Sequence, residues 1–89
     1  MNKVFLSGTL KQKPKVAYTP RGGKIIMFPL WVDDGAFSID VVFVDPQGAA
    51  DSAGIDGGRI IVSGVLAKGP SKTQDLFRLN ANKIIRMEE

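Results

Sequence analysis

The 89-residue sequence predicts an all-β fold: one small barrel of five strands. Three observations predict it. Apolar residues recur with period two in five separate runs, clusters of Gly and Pro divide those runs, and a glycine stands inside the first and fourth runs, where a small barrel needs a bend or a bulge. With 44% hydrophobic and 24% charged residues the chain has the composition of a folding globular domain, and its size leaves it little margin of stability.

In the first run Val4, Leu6, Gly8 and Leu10 alternate with Phe5, Ser7 and Thr9. The stretch KQKPKVAYTPRGG (11–23) reads as a loop because Pro14, Pro20, Gly22 and Gly23 punctuate it. The second run, Lys24 to Val32, directs Ile26, Phe28 and Leu30 inward and Met27, Pro29 and Trp31 outward. Its Pro29 cannot donate to a ladder and predicts a bulge or an unpaired position. Asp33-Asp34-Gly35 then makes a short hairpin turn. The third run, Phe37 to Val44, directs Ile39, Val41 and Phe43 inward and Ser38, Asp40, Val42 and Val44 outward; a register slip of one residue would expose Phe37 and Phe43 instead.

Asp45-Pro46 breaks this strand, and PQGAADSAGIDGG (46–58) has the composition for one or two helical turns beginning near Pro46. The fourth run, Arg59 to Leu66, leads through the hairpin loop AKGPSKTQD (67–75) into the fifth, Leu76 to Ile85. Five strands with a short helical connection between the third and fourth are the element order of an OB-fold barrel, spanning residues 1–89 as a single domain.

The chain has no cysteine and no histidine, which excludes thiol nucleophiles, disulfides, Cys/His metal sites and imidazole acid–base catalysis. Asp33 and Asp34 sit in a turn with no convergent acid, base or metal set, so the sequence predicts no enzyme and no cofactor. No apolar stretch is long enough for a membrane span and the N-terminus is unlike a signal peptide; a cytoplasmic, nucleoid-associated protein is expected.

The net charge of +3 is unevenly laid out. Residues 1–24 hold Lys3, Lys11, Lys13, Lys15, Arg21 and Lys24 with no acid. Residues 25–58 hold only acids: Asp33, Asp34, Asp40, Asp45, Asp51 and Asp56. Beyond Arg59 the chain turns basic again with Lys68, Lys72, Arg78, Lys83 and Arg86. Such segregation fits a polyanion-facing surface, and equally a set of solvated faces.

The stretch Asn2-Lys3-Val4-Phe5-Leu6-Ser7-Gly8-Thr9-Leu10, followed by Pro14, by Val16-Ala17-Tyr18-Thr19-Pro20-Arg21-Gly22-Gly23, and by Phe28 and Leu30, resembles the opening of bacterial single-stranded DNA-binding proteins. Val41-Val42-Phe43 and Ile60-Ile61-Val62-Ser63-Gly64-Val65-Leu66 resemble that family's third and fourth strands. The resemblance implies an OB-fold that dimerises or tetramerises and binds single strands, in replication, recombination or repair, without catalysis. The family's acidic recruiting tail has no counterpart before Glu89, and its loop between the second and third strands is longer than Asp33 to Ala36. In length the chain is similar to the tailless primosomal replication proteins of replication restart.

Binding of single strands needs cations along the phosphates and flat side chains under the bases. An OB groove crosses the second and third strands between two loops. Those loops would supply Lys11, Lys13, Lys15, Arg21 and Lys24 on one side and Lys68 and Lys72 on the other, with Arg78 continuing onto the last strand. Trp31 is the outward aromatic of the second strand, a stacking residue or an interface residue. Tyr18 either stacks or packs on Pro20. The acidic middle block should form the floor; Asp40 beside a phosphate would cost about 1 kcal/mol, so modest binding is expected.

Phe5, Ile61 and Val65 face away from the core or pack at a barrel corner; as an outward stripe they predict a homo-oligomer, dimer or tetramer. The partner is then single-stranded DNA, or RNA, which OB-folds also serve. The competing reading is a protein-interaction module of a restart primosome whose aspartates face a basic replication protein.

Overall fold

The computed structural model describes residues 1–46, 58–69 and 77–87. Six strands run in the order β1 (Val4–Leu10), β2 (Lys15–Tyr18), β3 (Lys24–Val32), β4 (Phe37–Asp45), β5 (Arg59–Lys68) and β6 (Phe77–Arg86). They form one sheet in the order β1-β5-β6-β4-β3-β2, and a further β1–β3 pairing closes it into a barrel of five strands, with β2 appended to β3. The expected all-β OB barrel is therefore present. The expected helical turn after Pro46 lies outside the described residues.

Two details depart from the sequence reading. Part of the 11–23 stretch is a strand: Lys15–Tyr18 pairs with Lys24–Met27 across the turn at Thr19–Gly23. That turn is tight because the Thr19 N–H donates to the Gly23 carbonyl (2.9 Å), the Gly22 N–H to the Thr19 carbonyl (3.0 Å) and the Gly23 N–H to Thr19 Oγ1 (2.8 Å). Proline and glycine here shape a hairpin and do not end the sheet. The link between β3 and β4 is a 3-10 turn, Asp33–Gly35, completed by Ala36 in the left-handed region at φ 53°.

Closure depends on two glycines. β1 pairs with β5 from Val4 to Thr9 and then reaches β3 at Thr9 and Leu10. A Cβ at Gly8 would collide with the Trp31 carbonyl oxygen, so only glycine lets the two backbones approach there. At Gly64 a Cβ would strike the Asn80 carbonyl, and beside it the β5–β6 register shifts between Ser63 and Gly64. The shift skips Asn82, whose Oδ1 accepts from Ser63 Oγ at 2.8 Å.

Pro29 pairs in register with Asp40 of β4. On the other side of β3 the pairing with β2 ends at Met27 and that with β1 begins at Leu30, so the missing N–H of Pro29 falls in a gap of the ladder.

Alternation holds through the barrel interior and fails at the first residues of β4 and β6, where Phe37 and Phe77 have inward parity yet are exposed. Leu10, Ile26, Phe28, Leu30, Val32, Val41, Ile60, Val62 and Leu79 are buried, with Ile39 and Phe43 packed against them. β3 and β4 pair with Met27 opposite Val42 and Trp31 opposite Ser38 on the outer face. At the other end of the sheet the Asn2 side chain continues the β1–β5 ladder: its Nδ2 donates to the Leu66 carbonyl (2.7 Å) and its Oδ1 accepts from the Leu66 N–H (3.0 Å). Among the described residues no helix is long and apolar enough to cross a membrane.

Candidate nucleic-acid interface

The outer faces of β3 and β4 floor a groove of about 550 Å³. Period two places Met27 and Pro29 on that face, opposite Val42 and Asp40. One wall is the β1–β2 connection and the start of β2, which supply Gln12, Lys13 and Lys15; the other is Gly69 after β5 together with Phe77 and Arg78 at the start of β6. The strand of Lys15 is held there by its pairing with Met27.

β6 lies parallel beside β4, with Arg78 level with Asp40, so a guanidinium of the wall stands beside a carboxylate of the floor. They form no ion pair with each other, and the buried Nε of Arg78 has no hydrogen-bond partner. Three cations, Lys13, Lys15 and Arg78, thus surround one carboxylate in the groove.

The expectation of an acidic floor is corrected by this arrangement. Asp33 is in the 3-10 turn and pairs with Arg59 at 3.8 Å; Asp34 is in the same turn; Asp45 closes β4 beside Lys24. Only Asp40 of the described acids lines the groove, because adjacent aspartates in the sequence belong to turns and strand ends.

The other sequence-predicted residues are spread around this groove. Lys11 has its Nζ 4.5 Å from the centre of the Trp31 ring, and the half-buried Trp31 stands beside Thr9 and Ser38, outside the groove lining. Tyr18 and Arg21 are exposed on the β2–β3 hairpin. Lys24 is half-buried at the start of β3, and Lys68 is exposed at the end of β5 opposite Phe77. Lys72 lies outside the described residues.

The aromatic side chain of the groove escaped the sequence reading. Phe77 is 54% exposed and lines the groove, although its spacing with Leu79 and Ala81 gives it the parity of the inward stripe. It opens the strand at the rim, where parity no longer implies burial. Its place two residues beyond a Gly- and Pro-containing loop was the available signal.

On the far side of the barrel Phe5 is 63% exposed, with Val65 and Ile85 also exposed and Ile61 half-buried. Ile61 stands between Ser7 and Ile85, and Phe5 beside Ser63. Lys3 Nζ lies 5.4 Å from the Phe5 ring centre.

Among solved structures, a deletion mutant of the single-stranded DNA-binding protein from Thermus aquaticus superposes with a TM-score of 0.82 at 24% identity, over 100% of this chain and 42% of that one. The wild-type protein gives 0.77 at 22% identity, over 100% and 41%. The chain has an OB-fold similar to that of this bacterial DNA-binding protein. It spans about two fifths of the length of the Thermus aquaticus protein. No family model and no curated protein matches the sequence.

Proposed function

We propose that the chain binds single-stranded DNA in the β3–β4 groove, in replication, recombination or repair. The observation that carries this reading is the convergence of Lys13, Lys15 and Arg78 from two opposite walls over an apolar floor of Met27, Pro29 and Val42, with the exposed ring of Phe77 at the rim. Cations from both sides can follow a phosphate backbone, and an aromatic face accepts any base. The fold shared with the Thermus aquaticus single-stranded DNA-binding protein supports the same reading. Lys11, Tyr18, Arg21, Lys24, Lys68 and Lys72 would extend the path beyond the groove, and Trp31 would support it through Lys11. The whole surface acts by binding; no catalytic step is assigned to it.

The outer stripe of Phe5, Ile61, Val65 and Ile85 supports homo-oligomerisation, as a dimer or tetramer, because apolar side chains clustered on one barrel face gain by mutual burial. Fluorescence anisotropy of a labelled oligothymidine, titrated with the protein at two salt concentrations, tests the binding. Saturable binding that weakens with salt is expected; an unchanged anisotropy at both concentrations refutes it.

A further inference from the structure

Resting on the reading of the groove as a single-strand site, we propose that Asp40 and Arg78 read the edge of one base and make that position prefer guanine. The two side chains lie level on neighbouring parallel strands and line the same groove. Adjacent strands are about 4.8 Å apart, so an acceptor and a donor group are rooted side by side, close enough for both to reach different ends of one base edge. Neither is consumed by the other: no ion pair joins them, and Arg78 Nε is buried without a partner.

A floor built only to hold phosphates would not contain a carboxylate, since Asp40 repels them. A carboxylate is useful against a base that presents donors. Unpaired guanine offers N1–H and the 2-amino group together, which a carboxylate accepts as a pair, and beside them O6, with N7 beyond, which a guanidinium can donate to. Thymine presents a single N3–H flanked by two carbonyl oxygens that face the carboxylate unfavourably. Cytosine and adenine each present one amino group and no second donor beside it. Phe77, exposed at the rim next to Arg78, supplies the stacking face for the base being read.

The test is competition by anisotropy with the intact protein, using oligothymidine carrying at its centre thymidine, deoxyguanosine or deoxyinosine. A single guanine avoids strand association, and inosine differs from guanine only in lacking the 2-amino group. The deoxyguanosine strand is expected to bind on the order of 10-fold more tightly than all-thymidine, with deoxyinosine between them. Asp40→Ala, which leaves no acceptor for the 2-amino group, should erase the guanine–inosine difference. Equal affinity for the three strands overturns the guanine preference and leaves single-strand binding standing. Failure of all three to bind overturns the groove reading, and the preference with it. Retention of the guanine–inosine difference in Asp40→Ala overturns the role given to Asp40.

Discussion

The ammonium of Lys11 sits 4.5 Å from the centre of the Trp31 ring, on the side of the barrel where β1 meets β3. A cation over an indole at an exposed site contributes about 0.5–1 kcal/mol. The contact anchors the start of the β1–β2 connection that continues to Lys13 and Lys15. Lys11→Ala is expected to raise acrylamide quenching of the single tryptophan and to lower stability by no more than about 1 kcal/mol. An unaltered quenching constant would show that the contact does not persist in solution.

Phe77, by contrast, has a free face in the groove. Phe77→Ala should weaken oligothymidine binding by about 1–3 kcal/mol, the usual contribution of a base stacked on an aromatic ring. Trp31→Phe should cost less. Because Phe77 is 54% exposed, its removal should leave the thermal midpoint nearly unchanged. The reverse ranking of the two variants would move the stacking site to Trp31.

Gly8 and Gly64 are where the barrel closes, and each would press a Cβ onto a backbone carbonyl. Gly64→Ala is expected to destabilise by about 1–3 kcal/mol, as overpacking does, and Leu30→Ala, in the fully buried core, by about 2–5 kcal/mol. Urea unfolding followed by tryptophan emission measures both. A Gly64→Ala variant as stable as the parent would contradict the close approach of β5 and β6.

The exposed apolar stripe gives a prediction about assembly. Phe5→Glu combined with Ile85→Lys should shift the mass measured by light scattering after size-exclusion chromatography from an oligomer to a monomer. Both residues are exposed, so folding should survive. A parent protein that is already monomeric at high concentration would remove the stripe as an interface.

The barrel was legible because alternation is a local property. Ile26, Phe28, Leu30 and Val41 declare their inward face through their nearest neighbours, and Gly8 and Gly64 mark the bends. β2 was hidden because Lys15–Tyr18 is only four residues long and is bounded by proline on both sides, so its partner strand decides its conformation. The groove was legible in outline through Lys13, Lys15 and Arg78. The sequence hides its charge because a run of aspartates does not share a face: Asp33 and Asp45 leave the groove at the ends of strands, and among the described acids only Asp40 has the outward parity at its centre. Phe77 and the Lys11–Trp31 contact depend on which loops come together, which local spacing does not encode.

On the proposed reading, Lys13 and Lys15 neutralise phosphates of a single strand held in the β3–β4 groove. The most direct test measures oligothymidine affinity against salt concentration for the parent and for Lys13→Ala/Lys15→Ala. Each phosphate contact on a single strand contributes about −0.7 to the slope of log K against log salt, so losing two should make the slope shallower by about 1.4. A double variant with the affinity and salt slope of the parent would show that these lysines hold no phosphate.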